Sequence, residues 1–341
     1  VFIRRLIRQN QTGIEPDPGE RFNRNVLNGT FPNGAFPSMI TLSQESFLRI
    51  SFDNDILDYT DRFYTNGIRL ELISKIFAGN PLSKILLPYW SAGTNYYGIS
   101  LTQNMYTPST TKLGGILYGD RPYAAYLFFG SSKITNDPVH RFRQTSEIDL
   151  GIIGPWSFGE WVQRSFHNAV PTNNEPLGWE YQVQNDLVAD YRVMLEKGIY
   201  NTRHIDFNLV STGSVGTLYT NLTGGFLFRT GWMNSYFSNL GIARLQQLQS
   251  EGLRKAQVIF FVKGSAKLVG YDATLQGGMI NKSSVYTLPA GDISRLVFQT
   301  SAGISLSYRG LRIDAEQFLL SPEYKQELWH KWVHIGLFFA L

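Results

Sequence analysis

The chain has 341 residues, a formal charge of +4 and no cysteine, and 17% of its residues are charged, against roughly 25% in ordinary soluble domains. Its Lys and Arg are scattered, which argues against a nucleic-acid partner, and the lack of cysteine excludes a disulfide scaffold. No run of about 18 apolar residues occurs, so a membrane helix is excluded. A membrane barrel is not, because it hides its apolar face in every second residue and keeps mean hydropathy near zero, here −0.16.

Aromatic residues reach 14% and glycines number 32. Barrel walls with interfacial girdles share that composition with soluble carbohydrate-binding sandwiches, so the pattern along the chain has to decide. Residues 1 to about 45 show little periodicity, and Pro16, Pro18, Pro32 and Pro37 discourage regular structure. An irregular N-terminal extension is expected over 1–45.

The first strand runs over 47–53, with Leu48, Ile50 and Phe52 on one face and Arg49, Ser51 and Asp53 on the other. The next, over 63–74, sets Ile68, Leu70 and Leu72 against Thr65, Gly67, Arg69 and Glu71. Alternation recurs at 95–106, 122–133 and 142–153, where Arg143, Thr145, Glu147 and Asp149 share a face. Such a face is costly in a dry core and tolerable in a wet lumen. The rhythm continues at 182–198, 203–217, 219–232, 255–270, 294–309 and 310–319. The last strand, 329–341, carries Val333, Ile335, Leu337, Phe339 and Leu341 on one face. The joint Lys197–Asn201 reads as a tight turn, and 233–253 and 271–293 read as long loops at the other end. The expected fold is all-β: a transmembrane antiparallel β-barrel of about twelve strands over 46–341, with a short rim helix, closed because lipid leaves no partner for an open edge.

That helix is expected near 157–169. Ser157 followed by Glu160 is a capping-box pattern, and Pro155 and Pro171 bound it. Phe158, Trp161, Val162, Phe166 and Ala169 gather on one side, and Glu160, Gln163, Arg164 and His167 on the other. Read from these residues alone, it is a short surface helix packed on the rim by its apolar side, or a rigid element holding a catalytic histidine. Asn54-Asp55 alone reads as a strand-ending turn, and Asp120-Arg121 as a rim salt bridge. Trp156, Trp161, Trp179, Trp329 and Trp332 read as interfacial anchors.

Three stretches taken together resemble the outer-membrane lipid A 3'-O-deacylases, the LpxR family. They are Phe52-Asp53-Asn54-Asp55 with Asp61-Arg62-Phe63-Tyr64-Thr65-Asn66-Gly67; Gln103-Asn104-Met105-Tyr106-Thr107-Pro108 with Gly119-Asp120-Arg121-Pro122-Tyr123-Ala124-Ala125-Tyr126; and Asp149-Leu150-Gly151-Ile152-Ile153-Gly154-Pro155 leading into the helix. Leu275-Gln276-Gly277 adds to the likeness. The resemblance implies a bacterial outer-membrane location and hydrolysis of the 3' ester of lipid A, releasing an acyloxyacyl group. It implies catalytic roles for Asn54, Asp55, Thr65, Gln163 and His167, and a substrate contact at Lys112, reached with a one-residue gap. Arg121 is a candidate for a lipid A phosphate. A divalent cation, calcium, is implied as cofactor, with Asp55, Asn54 and Glu160 as candidate ligands because hard cations take oxygen donors. Expected partners are lipid A or lipopolysaccharide in the outer leaflet and the surrounding lipids, without nucleic acid or an obligate protein partner. The alternatives are another outer-membrane lipid esterase of phospholipase type, or a non-enzymatic barrel or pore. Ser157 and Ser165 are lesser candidates for a nucleophile. A first test concerns topology: Arg69, Glu71, Glu147 and Asp149 should face the lumen, and finding them toward lipid would overturn the barrel reading.

Overall fold

The computed structural model describes residues 40–55, 62–89, 93–169 and 175–341, so most of the extension expected over 1–45 lies outside the described residues. A three-residue strand, β1 (Ile40–Leu42), runs parallel to residues 93–95. The barrel strands are β2 (Phe47–Asn54), β3 (Phe63–Ile73), β4 (Gly93–Thr107), β5 (Ala124–Asp137), β6 (Phe142–Ile153) and β7 (Asp186–Asn201). They continue with β8 (Ile205–Gly216), β9 (Tyr219–Trp232), β10 (Ala256–Asp272), β11 (Leu296–Tyr308), β12 (Leu311–Leu320) and β13 (His330–Ala340). Each pairs antiparallel with its neighbours in sequence, and β13 pairs with β2, from Val333↔Asn54 to Ala340↔Phe47. These twelve strands therefore close into a barrel without a free edge, as expected.

The alternation resolves into two surfaces. Leu337, Ile50, Leu70, Leu101, Phe129 and Leu150 lie opposite one another in successive ladders and form one apolar row around the outer wall. The other face points inward. Arg69 on β3 bonds Glu147 on β6 at 2.6 Å, although two strands separate them in the sheet. The bond therefore spans the inner face of the wall over β4 and β5, where Arg69 also meets Thr102 and Glu147 meets Ser100. Arg49 meets Glu71 at 3.1 Å and Arg192 meets Asp149 at 2.5 Å on the same surface. Charge is thus paired inside and absent from the apolar row outside, as a lipid solvent requires. The four groups named in the topology test face the lumen.

Two readings of the connections need correction. Lys197–Asn201 is not a turn: β7 runs through Asn201, a bulge between Gly198 and Tyr200 absorbs the irregularity, and the ladder resumes at Tyr200↔Phe207. The turn is 202–204. The long loops 233–255 and 273–295 also lie at opposite rims, because β9 and β10 run in opposite directions. The first shares its rim, here the lower, with the 202–204 turn. It carries a short helix, α2 (Leu245–Ser250) by its position, and the upper-rim loop opens with another, α3 (Ala273–Gln276). A third, α1 (Gly159–Ala169), belongs to the upper-rim connection 154–185.

The lower loop folds into the mouth of the lumen. Arg143 donates to the carbonyls of Tyr236 and Asn239, both at 2.9 Å, and Asn136 donates to Phe237 O at 2.8 Å. Phe237, Leu240 and Ile242 are buried, the last two against Phe47, Ile73, Tyr96 and Ile134. Above them a polar cavity of about 450 Å3 remains in the lumen, lined among others by Asp53, Arg69, Asp149, Arg192 and His334. A barrel stoppered this way is poorly suited to be an open pore. Replacing Arg143 by Leu (Arg143→Leu) leaves those loop carbonyls without their donor, a change that costs about 1–3 kcal/mol for a buried group left unsatisfied. Limited proteolysis should then cut within 233–243 while the barrel stays intact; equal resistance in the wild type and the variant would show that Arg143 does not hold the plug.

Candidate active site

The upper ends of β2 and β3 depart from regular pairing. Asn54 follows Phe52 on the outward face of β2, yet Phe52 is 38% exposed and Asn54 8%. Asp55 comes next and accepts the Arg62 backbone N–H at 3.0 Å, which ties together the two ends of the connection. On β3 the ladder to β4 passes from Tyr64↔Tyr106 to Asn66↔Met105, so Thr65 is the extra residue of a β-bulge. Bulges re-aim side chains and recur beside active sites. Here Tyr64 turns inward and donates to Asp53 at 2.8 Å, while Thr65 is buried and its hydroxyl donates to Met105 O at 3.5 Å. Asn54 and Asn66 are cross-strand partners, so Asn54, Asp55 and Thr65 share one patch.

Helix α1 lies against the neighbouring β4–β5 wall from outside. Tyr106, Tyr126 and Phe128 line or fill the lumen, so Met105 and Ala125 point outward. A Cβ placed on Gly159 would come within 2.2 Å of Ala125 Cβ, which is why glycine stands where the helix touches the wall. Gln103, also outward, donates to Ser157 O at 2.5 Å and pins the approach to the helix. Val162 packs on Met105, Tyr123, Ala125 and Trp179.

The orientation of this helix reverses the expectation. Gly159, Gln163 and His167, spaced by one turn each, are buried, Gly159 on Ala125 of the wall and Gln163 on Trp179, whereas Phe158, Trp161 and Phe166 are exposed. In water the apolar side would face the barrel; in a bilayer it faces lipid, and the polar side takes the wall. His167 is therefore a buried group and not a lightly packed one. Ser157 is not the cap of α1: it ends a preceding 3-10 turn, Pro155–Ser157, and its hydroxyl donates to Gly154 O at 2.6 Å. The set of interfacial tryptophans also shrinks, since Trp179 and Trp332 are buried while Trp156, Trp161 and Trp329 are exposed.

The expected catalytic residues thus fall into two groups. Asn54, Asp55 and Thr65 form the rim patch, and Gln163 and His167 form the buried stripe of α1. Met105 links the two, bonded through its carbonyl to Thr65 and packed through its side chain against the helix. Lys112 is exposed on the upper loop 108–123, whose Thr111 carbonyl accepts the Leu177 N–H at 2.8 Å beside the helix connection. Arg121 stands apart. It is 1% exposed on the lumen side, bonded to Glu323 and to Thr274 at 3.1 Å each and lying 4.4 Å from the Tyr106 ring centre. This is the salt-bridge geometry, with Glu323 as the carboxylate. Burial alone would raise Glu323, but the Lys267 ammonium and the Arg121 guanidinium outweigh it and hold that carboxyl low. Burial and the Glu323 charge push Glu327 up.

The oxygens of Asn54, Asp55 and Thr65 are of the kind a hard cation takes. Glu160, in the first turn of α1, pairs with Arg164 at 3.0 Å and is outside the buried stripe. Among the described residues no three His, Cys, Asp or Glu side chains gather as a metal-holding group. A cation at this rim would rest on Asp55 as its carboxylate, completed by amide, hydroxyl and carbonyl oxygens.

The comparisons with known proteins agree with this architecture. The family described as outer membrane protein LpxR matches residues 32–341. The chain belongs to the LpxR family. It is accordingly a bacterial outer-membrane barrel of a family of lipid A-modifying enzymes. The solved structure of LpxR from Salmonella typhimurium is similar with a TM-score of 0.67 at 19% identity, covering 86% of this chain and 100% of that one. The β domain of the Bordetella autotransporter BrkA gives 0.41 at 10% identity, covering 88% and 100%. The KdgM porin gives 0.37 at 6%, covering 86% and 99%. No curated protein matches the sequence.

Trp179 and Gly159 are the site-forming residues that sequence reasoning missed. A glycine opening an amphipathic helix was the available signal for the second. Gly159→Ala overpacks the contact with Ala125, a change that costs about 1–3 kcal/mol. It should lift the helix from the wall and make a cysteine at position 163 accessible to a water-soluble thiol reagent, whereas Trp161→Ala, on the lipid side, should not; equal labelling in both backgrounds would show that the helix is not seated through Gly159.

Proposed function

We propose that this LpxR-family protein removes the 3' acyloxyacyl group of lipid A by ester hydrolysis, with His167 as general base. The observation that supports this reading most is the reversed helix. A helix that turns its apolar side to lipid needs no buried imidazole, and α1 carries one, one turn from Gln163.

In the proposed reaction His167 takes a proton from water, and the water oxygen attacks the ester carbonyl carbon. The bond from that carbon to the sugar oxygen then breaks, and the proton returns from His167 to the leaving oxygen. The products are a free acyloxyacyl acid and a sugar hydroxyl. Gln163 is the neutral polar group available to orient the carbonyl and the developing oxyanion. Burial beneath the helix keeps bulk water from competing for these bonds. Asn54, Asp55 and Thr65 would hold a calcium ion, which when bound supplies electrophilic polarisation of the ester. Lys112, exposed at the same rim, is available to an anionic headgroup.

Purified protein in detergent should release acid from lipid A and not from phospholipid, and His167→Ala should lower turnover at least about a hundredfold in a folded barrel. Unchanged turnover in that variant would eliminate water activation by His167, and release from phospholipid alone would point to the phospholipase-type alternative. Excess chelator should abolish activity, and calcium at about 10⁻⁴ to 10⁻³ M should restore it. Asp55→Asn should raise the calcium requirement more than Thr65→Ala, because it removes the carboxylate of the patch. Full activity in chelator would remove the cation from the scheme.

A further inference from the structure

Trp179 lies in a short turn, Trp179–Tyr181, within the connection between α1 and β7. It is fully buried, and its indole Nε1 donates to Gln163 Oε1 at 2.7 Å. Its ring sits 4.7 Å from that of Tyr123, whose hydroxyl donates to Leu177 O at 2.7 Å. Tyr123 thus holds the tryptophan twice, through its ring and through the backbone just before Trp179.

The chemistry of the pair gives the contact a direction. An indole N–H can only donate, while a glutamine amide has one accepting and one donating end. With its oxygen engaged by Trp179, the Gln163 amide is fixed in one of its two flips, and its NH2 lies on the opposite side. On the buried stripe of α1 the next residue along that face is His167. Building on the hydrolase reading above, we infer that Trp179 is a positioning residue: it locks Gln163 as a hydrogen-bond donor for the ester carbonyl oxygen. An unlocked amide would present oxygen and nitrogen alike, and an oxygen aimed at a developing oxyanion repels it. Fixing a donor before reaction avoids reorganisation in the transition state.

The test is a double-mutant cycle on the full protein in detergent with lipid A as substrate, measuring kcat and KM for the wild type, Trp179→Phe, Gln163→Ala and the double variant. A shift to temperature-dependent gel mobility confirms folding of each barrel. Trp179→Phe should lower kcat by about tenfold to a hundredfold and leave KM within about threefold. The double variant should be no slower than Gln163→Ala alone, because the lock has nothing left to hold. Benzothienylalanine at position 179, which keeps the ring shape and lacks the N–H, should reproduce the kcat loss and covers the case in which phenylalanine fails to fold. Multiplying losses in the double variant, or full kcat with benzothienylalanine, would reduce Trp179 to a packing residue and overturn the inference. A wild-type barrel that releases no acid from lipid A would instead overturn the hydrolase reading, and with it any role for Trp179 in that reaction.

Discussion

A sheet immersed in lipid has no water to satisfy its edge, so every backbone N–H and C=O in the wall must find a partner in the protein. The β13–β2 ladder meets that requirement here, and much of the remaining architecture follows from it. Closure fixes which face of each strand looks inward. The inward face can then carry Arg69, Glu147, Asp149 and Arg192 in mutual contact, and the outward face must be apolar through the bilayer. Above the apolar row the outer wall becomes polar, at Asn54 and Gln103 among others, and the helix covers the neighbouring β4–β5 wall at Met105 and Ala125.

The helix shows how solvent changes the meaning of a sequence pattern. In water an amphipathic helix seats its apolar side, and Phe158, Trp161 and Phe166 would form the contact. Beside lipid the same helix turns over, because exposing tryptophan and phenylalanine to acyl chains is favourable while exposing Gln163 and His167 is costly. The result is a polar stripe buried under the helix, with Gln163 held by Trp179. The lumen serves a different purpose. Its lower mouth is filled by the 233–243 segment and its upper mouth is crossed by the Arg121–Glu323–Lys267 cluster. Arg121 belongs to that internal brace, on the other side of the wall from the proposed chemistry.

Much of this was legible in the sequence. Alternation placed the strands at 142–153 and 219–232 within the bounds observed, because the middle of each carries its large apolar side chains, Ile148, Leu150 and Ile152 or Leu222, Phe226 and Phe228, on one face, and a one-residue slip would invert them. Less was legible where pairing is irregular. The Gly198–Tyr200 bulge looked like a turn because glycine and asparagine serve both, and the buried state of Trp179 could not be read from its type. The residues Asn54, Thr65, Gln163 and His167 were named from a resemblance; taken alone, Asn54-Asp55 reads as a turn and His167 as surface. What the residues could not disclose was that the outward side of β2–β5 would hold them, since that depends on a bulge at Thr65 and on the helix turning over.

The most direct measurement is mass spectrometry of lipid A extracted from cells that make this barrel, compared with cells that do not. The account predicts a lipid A species lighter by one acyloxyacyl group, with fragmentation assigning the loss to the 3' position and phospholipids unchanged. Lipid A of unaltered mass, in cells whose outer membrane contains the folded barrel, would contradict it.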